Sequence, residues 1–424
     1  MLESIQLKDL KSFPDTGNIP LRRINILIGA NNAGKTTFLS AIELFFRSLR
    51  ASGPEGPLAF DSMPSFTSFD STLRRHWTKT TQRPTAINMQ FSYVRDRDGS
   101  KTRRSYEFDC ASQGTDDTIV VRRATYSIRD GADPVTAIRR LDQSSGRIGY
   151  DLQIGKKQLK DEDGWFHQMM PVAILNQRRN GIFLGFETRP TQLEVVNPYR
   201  PIPRSFYVLD DPNLGLEDRT LLTYLIRVWS SAEQEDKIIR NRITDSLETL
   251  GLTRQFEISQ VSKRIGPKVI EIRVAPTSSR QKVTIADAGF GLSQVLPLAV
   301  YDARLSSGTL IAYQPEVHLH PYAQSRLADI FVESAARKNQ LFIESHSIDL
   351  ILRLQAKIVR GEVAAPDVCV LCFENKSGKT SVSPMYFGET GAPSMVWPAG
   401  FIDTSLNLAR DLTSARITKL QQAK

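Results

Sequence analysis

The chain has 424 residues, is 40% hydrophobic and 24% charged, and carries a net charge of +9. That is an ordinary globular composition, long enough for two or three domains or one large two-lobed one. The charge permits nucleic-acid contact without requiring it, no apolar run approaches the roughly 18 residues of a membrane span, and the start Met1-Leu2-Glu3-Ser4-Ile5 does not read as a signal peptide.

Three cysteines, an odd number, argue against a disulfide framework and for a reducing cytoplasm. Cys369 and Cys372 lie inside the apolar run Val368–Phe373 and read as buried strand residues. Residues 1–13 alternate loosely through Ile5, Leu7, Leu10 and Phe13, which predicts an edge strand. Ile24–Ile28 then forms a mostly apolar run fit for a strand buried on both faces. It feeds Gly29-Ala30-Asn31-Asn32-Ala33-Gly34-Lys35-Thr36, of the form G-x-x-x-x-G-K-[ST], and an amphipathic helix with Phe38, Ile42, Phe45 and Leu49 on one side. This pattern is a phosphate cradle. Gly29 and Gly34 let the backbone curl so that successive N–H groups face one anion, and the helix N-terminus adds its positive dipole end. Lys35 is placed to reach β- and γ-phosphates, and the Thr36 hydroxyl to hold Mg²⁺. A second match, Ser377-Gly378-Lys379-Thr380, has Phe373 where the first glycine should stand and continues as strand or turn, so it is not a nucleotide site.

Residues 51–72 read as an irregular loop, and from about 85 to 160 the apolar pattern changes to period two, as in Ile87-Asn88-Met89-Gln90-Phe91. This predicts an inserted lobe of short antiparallel strands. Basic pairs in this polar middle (Arg74-Arg75, Arg103-Arg104, Arg178-Arg179) read as solvated surface or as nucleic-acid contacts. Residues 216–250 are strongly helical, with Leu221, Leu222, Leu225, Trp229, Ile239, Ile243 and Leu247 recurring at helical spacing. Two strands follow near Phe256–Val261 and Val269–Val274, and from 283 strands and helices alternate as in a largely parallel α/β sheet.

Three constellations lie in this second half. Asp287-Ala288-Gly289-Phe290-Gly291-Leu292-Ser293-Gln294 is a glycine-rich turn opening a helix, suited to a second anion-binding helix terminus that meets a nucleotide held by another subunit. Leu310–Tyr313 is an apolar strand ending in Gln314-Pro315-Glu316-Val317-His318-Leu319-His320-Pro321, the kind of place where a P-loop ATPase holds its Mg²⁺ acid and orients water. His318 and His320 invite a zinc reading, but no third ligand of fixed spacing accompanies them. Leu341–Ile343 leads to Glu344-Ser345-His346-Ser347, where a γ-phosphate sensor would be needed.

In this order the motifs resemble the ABC-type ATPase branch that contains RecF, the SMC proteins and the OLD ATPases. Within it the chain is most similar to stand-alone bacterial AAA-type ATPases with a Trp-Pro-x-Gly-Phe box, here Trp397-Pro398-Ala399-Gly400-Phe401. The resemblance implies an α/β ABC-type P-loop core, residues 1–50 and 256–424, split by a β-rich lobe at 51–205 and a helical insertion at 206–255. It implies two ATP molecules with Mg²⁺ held between two subunits, head to tail. Gly29, Asn31, Asn32, Ala33, Gly34, Lys35, Thr36 and Thr37 bind phosphate in one subunit, and Gly289, Gly291 and Ser293 of the other complete the site. His346 resembles the switch histidine, Gln90 or Gln177 the Q-loop glutamine, and Arg200 either faces the nucleotide or lies in an ordinary surface turn. One departure stands out: the two positions that carry acids in the wider family are Tyr313 and Gln314. Gln314 can orient a water but not accept its proton, so slow hydrolysis is expected unless Glu316 substitutes.

The segment after His346 reads as a hairpin and one helix, without a carboxylate-rich nuclease centre. The expected role is therefore a cytoplasmic ATPase switch of an anti-phage system, which assembles with itself into a dimer or larger ring. It would answer a phage trigger and control a separately encoded effector. Two alternatives are a RecF-like ATP-gated DNA-repair protein and a non-hydrolysing ATP-locked scaffold.

Overall fold

The computed structural model describes residues 1–53, 56–63, 65–66, 68–73, 85–97, 100–113, 117–127, 134–141, 148–161, 166–167, 169–171, 192–198, 200, 203–261, 268–277, 281–398, 401 and 414. Two large sheets organise them. Strand β1 (Leu2–Leu10) belongs to an antiparallel sheet, whereas β2 (Ile24–Gly29) belongs to a mostly parallel one. Between the two sheets runs helix α1 (Lys35–Ser48). The parallel sheet continues with β3 (Leu193–Val196), β4 (Thr309–Tyr313), β5 (Gln340–Glu344), β6 (Val368–Lys376) and β7 (Lys379–Tyr386). Its spatial order is β3-β4-β5-β2-β6-β7, with only β7 antiparallel to its neighbour.

A parallel sheet covered on both faces reads as near-continuous apolar runs, and the burial here is two-sided. Ile24, Ile26, Leu310, Ala312, Leu341 and Ile343 point into one core, while Leu27, Ile311, Tyr313 and Phe342 point into the other. The first core is closed by helices α2 (Leu216–Ser230), α3 (Gln234–Thr249), α4 (Phe290–Arg304), α5 (Pro321–Ala336) and α6 (Ile348–Val359). The second is closed by α1 and the antiparallel sheet.

That antiparallel sheet is the expected inserted lobe. Strands 87–97, 100–113, 118–127, 135–141, 148–154 and 157–161 meander through it in sequence order. The expectation of an edge strand at residues 1–13 is corrected: β1 pairs with 87–97 on one side and with Phe13–Asp15 and Ile19–Pro20 on the other. The segment 51–205 in turn contributes β3 to the parallel sheet. Helix α1 also differs from the amphipathic helix expected, because Ala41, Leu44 and Phe46 are buried along with Phe38, Ile42 and Phe45. Phe45 stacks on Phe91 of the lobe at 4.6 Å and Phe38 meets Phe373 of β6 at 5.3 Å. With a sheet on each side, every residue from Phe38 to Phe46 is buried, and only Arg47 near the end of the helix reaches water. The second Gly-Lys-Thr match forms the hairpin between β6 and β7, and Cys369 and Cys372 are buried on β6, their thiols pushed up to about 12 by burial.

One side chain ties the two sheets at their far end. Buried Gln340, first residue of β5, accepts the Leu2 N–H at 2.7 Å and donates to Leu2 O at 2.7 Å and Arg22 O at 3.0 Å. Replacing it by leucine strands a buried donor and acceptor of β1, so Gln340→Leu should destabilise the chain by about 2 kcal/mol, read as a lowered urea midpoint with an unchanged slope.

Candidate ATP site

At the ends of β2 and β5 the strands stop and a cavity of about 1010 Å³ opens, lined by Asn31, Asn32, Ala33, Gly34, Lys35, Thr36 and Thr37 together with Gln314 and Glu344. Lys11, Ser12, Ser65 and Ser71 form the wall contributed by the lobe side, which the sequence did not reveal. The loop's shape follows from its neighbours. Gly29 has φ 147°, and a Cβ there would lie 2.3 Å from the Phe373 carbonyl oxygen of β6, so only glycine lets the two strands stay paired as the chain turns away. Gly34 caps α1, whose first-turn residue Thr36 is exposed to the cavity. The helix N-terminus and its free N–H groups thus face the space where phosphate would sit.

Lys35 is 3% exposed and donates to Gly29 O at 3.0 Å and Ala30 O at 2.9 Å. Its ammonium also lies 3.8 Å from Oε1 of Glu344, while Thr36 Oγ1 donates to Glu344 Oε2 at 3.1 Å. Burial lowers the Lys35 pKa and raises that of Glu344, and the charge of each partner opposes the shift. Glu344 was not among the residues expected from sequence. Its signal was an acid closing an otherwise apolar strand, a position where a carboxylate is rare without a partner.

The set of oxygens here (Thr36 hydroxyl, Glu344 carboxylate, Gln314 amide) suits a small hard cation better than a soft one, so the residues present fit Mg²⁺. His318 and His320 serve elsewhere: the His318 ring lies edge-on to Phe290 at 4.8 Å, and His320 Nδ1 accepts the Tyr322 N–H at 3.3 Å, capping α5. Among the described residues no cluster of three His, Cys, Asp or Glu side chains is gathered for a metal.

The remaining expected residues fall into separate groups. Gln314 borders the cavity with φ 45°, and its N–H donates to Glu344 O at 2.9 Å. Glu316 is buried beside it, and its Oε1 accepts the His346 N–H at 2.6 Å. Burial raises the Glu316 pKa, against hydrogen bonds from His346 and Ser345 and the charge of Arg200. His346 itself is held below its ordinary value by partial desolvation and then by the Lys35 charge. Gly289, Gly291 and Ser293 do not line this chain's own cavity; they open α4 at the surface. A Cβ on Gly291 would come 2.9 Å from the His318 carbonyl oxygen, so this turn is packed against the loop that follows β4. Gln90 lies on the lobe sheet, donating to Asn88 and Glu107, and Gln177 is outside the described residues. Arg103 reaches Glu3 at 2.9 Å; Arg74-Arg75 and Arg178-Arg179 are outside the described residues.

Arg200 neither faces the cavity nor lies in a surface turn. Its guanidinium donates to Gln294 O at 3.0 Å, Tyr313 O at 2.8 Å and Gln314 O at 3.0 Å, joining α4 to the end of β4. Trp397 and Phe401 stack at 6.0 Å and pack on the helical core, with Ala399 and Gly400 outside the described residues.

The AAA ATPase domain family matches residues 1–143 and 219–351. No curated protein matches the chain. Among solved structures, an SMC head bound to the C-winged helix domain of ScpA is 14% identical with a TM-score of 0.50, covering 91% of this chain and 98% of that one. The SMC head domain from Thermotoga maritima is 12% identical with a TM-score of 0.42, covering 90% and 98%. A Pyrococcus furiosus SMC head with an extended coiled coil, bound to the C-terminal domain of ScpA, is 14% identical with a TM-score of 0.46, covering 91% and 96%. With the first of these the chain shares the fold, that of an ABC-type P-loop ATPase head. Because four carbonyls, those of Asn197, Gln294, Tyr313 and Gln314, depend on one guanidinium, Arg200→Ala should cost about 3 kcal/mol of stability, and amide exchange at residues 314–318 should accelerate more than exchange in β5.

Proposed function

The chain belongs to the AAA ATPase domain family, and on that premise we propose that it is an ATP-binding, slowly hydrolysing switch of an anti-phage defence system that controls a separately encoded effector. The observation that carries the nucleotide part is the cavity in which Lys35, Thr36, Gln314 and Glu344 converge at the mouth of the parallel sheet. In this reading the 29–37 loop and Lys35 bind the phosphates, with Lys35 exchanging the Gly29 and Ala30 carbonyls for phosphate oxygens. Magnesium, when bound with ATP, neutralises charge on the β- and γ-phosphates. Gln314 orients the attacking water without accepting its proton, which keeps turnover slow. Glu316 holds the backbone of His346, and His346 senses the γ-phosphate.

Gly289 is exposed and Gly291 and Ser293 are half-buried at the start of α4, outside this chain's own cavity and placed to meet the nucleotide of a second copy in a head-to-tail pair. The helical pair α2–α3 is the candidate partner-docking element, because Leu216 is 78% exposed and Ile238 43% exposed. The defence role rests on the resemblance carried by the Trp397–Phe401 box and on the switch-like chemistry of the site. No helix among the described residues is long and apolar enough to cross a membrane.

A second reading, an ATP-locked scaffold, draws on the absence of a carboxylate at both Tyr313 and Gln314. Phosphate release by the purified chain separates the two. The switch predicts turnover well below about 1 s⁻¹ that Lys35→Ala reduces to background, and loss of protection against phage in cells carrying Lys35→Ala. Turnover of many per second would sink the slow-switch reading, tight ATP binding with no product would favour the scaffold, and DNA-stimulated turnover that falls steeply with salt would favour a nucleic-acid clamp.

A further inference from the structure

The end of β4 is where a chain of this fold would be expected to carry an acid toward the cradle, yet the side chain there is Tyr313. It is buried, it lies on the α1 face of the sheet, and its hydroxyl reaches Glu43 Oε2 at 3.4 Å, two helical turns beyond Thr36. Burial and then the Glu43 charge push the phenol far above its ordinary range, so it stays neutral and offers no anion. Gln314, next in the chain, is neutral by chemistry.

The neighbouring strand supplies what β4 lacks. Tyr313 and Glu344 are directly paired in the parallel register of β4 and β5, and Glu344 pairs in turn with Leu27 of β2. Glu344 is therefore one strand closer to the cradle. Alternation along β5 puts Ile343 on the helical face and sends Phe342 to the α1 face, so Glu344, two residues after Phe342, projects toward α1 as well. Its side chain is 6% exposed, with the carboxylate close to both Lys35 and Thr36. The Thr36 hydroxyl and the Glu344 carboxylate are thus held side by side, hydrogen-bonded at 3.1 Å, as two hard oxygens of the kind that would hold Mg²⁺.

We infer that the magnesium-side acid of this site has moved from the end of β4 to the end of β5, and that Glu344, paired with the Thr36 hydroxyl, does that work while Tyr313 has become a packing residue. The inference rests on the ATP-binding reading above. The same carboxylate neutralises Lys35, whose ammonium also donates to two backbone carbonyls of the loop. Bound nucleotide and cation would replace that pairing, with Lys35 donating to phosphate and Glu344 free to hold the cation.

The test is the affinity of the intact chain for the fluorescent analogue mant-ATP, with Mg²⁺ and with EDTA, for wild type, Glu344→Gln, Glu344→Asp and Tyr313→Phe. Magnesium should tighten wild-type binding by about tenfold or more. Glu344→Gln should lose most of that gain while its affinity in EDTA is unchanged or tighter, Glu344→Asp should keep part of it, and Tyr313→Phe should keep all of it. A Glu344→Gln chain with the full magnesium gain overturns the inference, as does one weakened equally in both media, which would make Glu344 a brace for Lys35 alone. Should Glu344→Gln fail to fold, a full magnesium gain in Glu344→Asp overturns it and a reduced one supports it. Wild type that binds mant-ATP in neither medium removes the nucleotide reading itself, a different failure from loss of the magnesium difference.

Discussion

Helix α1 is enclosed between two sheets of opposite character, and this enclosure governs most of what lies around it. From Phe38 to Phe46 the helix is buried all round, with Phe45 packed on the lobe and Phe38 on the parallel sheet. A helix held so firmly presents its first turn at a fixed place. Lys35 and Thr36 are on that turn, so the phosphate-facing end is preorganised by apolar packing several turns away. The arrangement also explains why a lobe inserted far along the chain shares its sheet with β1: the helix needs a cover, and β1 with the meander provides it.

Within this frame the charged groups are few and closely matched. Lys35 and Glu344 are both desolvated, and each is tolerable because the other is there. Glu316 is tied to the backbone of His346, beyond Glu344, and Arg200 to the carbonyls of Tyr313 and Gln314. The cavity rim is thus a set of strand ends fastened to one another by side chains that reach across to main-chain atoms. Such fastening keeps neutral and charged groups in register without lining the cavity with excess charge.

Much of the architecture was legible in the sequence because it is written locally. The strand-loop-helix around Gly29 and Lys35, the period-two meander and the helical spacing of 216–250 each declare themselves within a short window. What was hidden depends on neighbours distant in the chain. Nothing in residues 1–13 shows that β1 lies between two other strands, and nothing in the spacing of Phe38, Ile42 and Phe45 shows that the opposite face of the helix is covered too. Glu344 was visible as a residue but not as a partner of Lys35, because parallel register between β4, β5 and β2 cannot be read from any one of them. Arg200 was misplaced for the same reason, since three of its four acceptors, the carbonyls of Gln294, Tyr313 and Gln314, lie roughly a hundred residues further on.

The strand order has a consequence for how the molecule comes into being. Strand β2 and its loop are made early, yet both neighbours of β2, residues 340–344 and 368–376, belong to the last quarter of the chain. Until those emerge, an apolar strand next to the nucleotide loop has no sheet to join, and closing that separation is entropically slow. The cradle is therefore among the last parts of the protein to become native during synthesis. A truncated or stalled chain would contain the whole phosphate-binding motif and still be unable to form it.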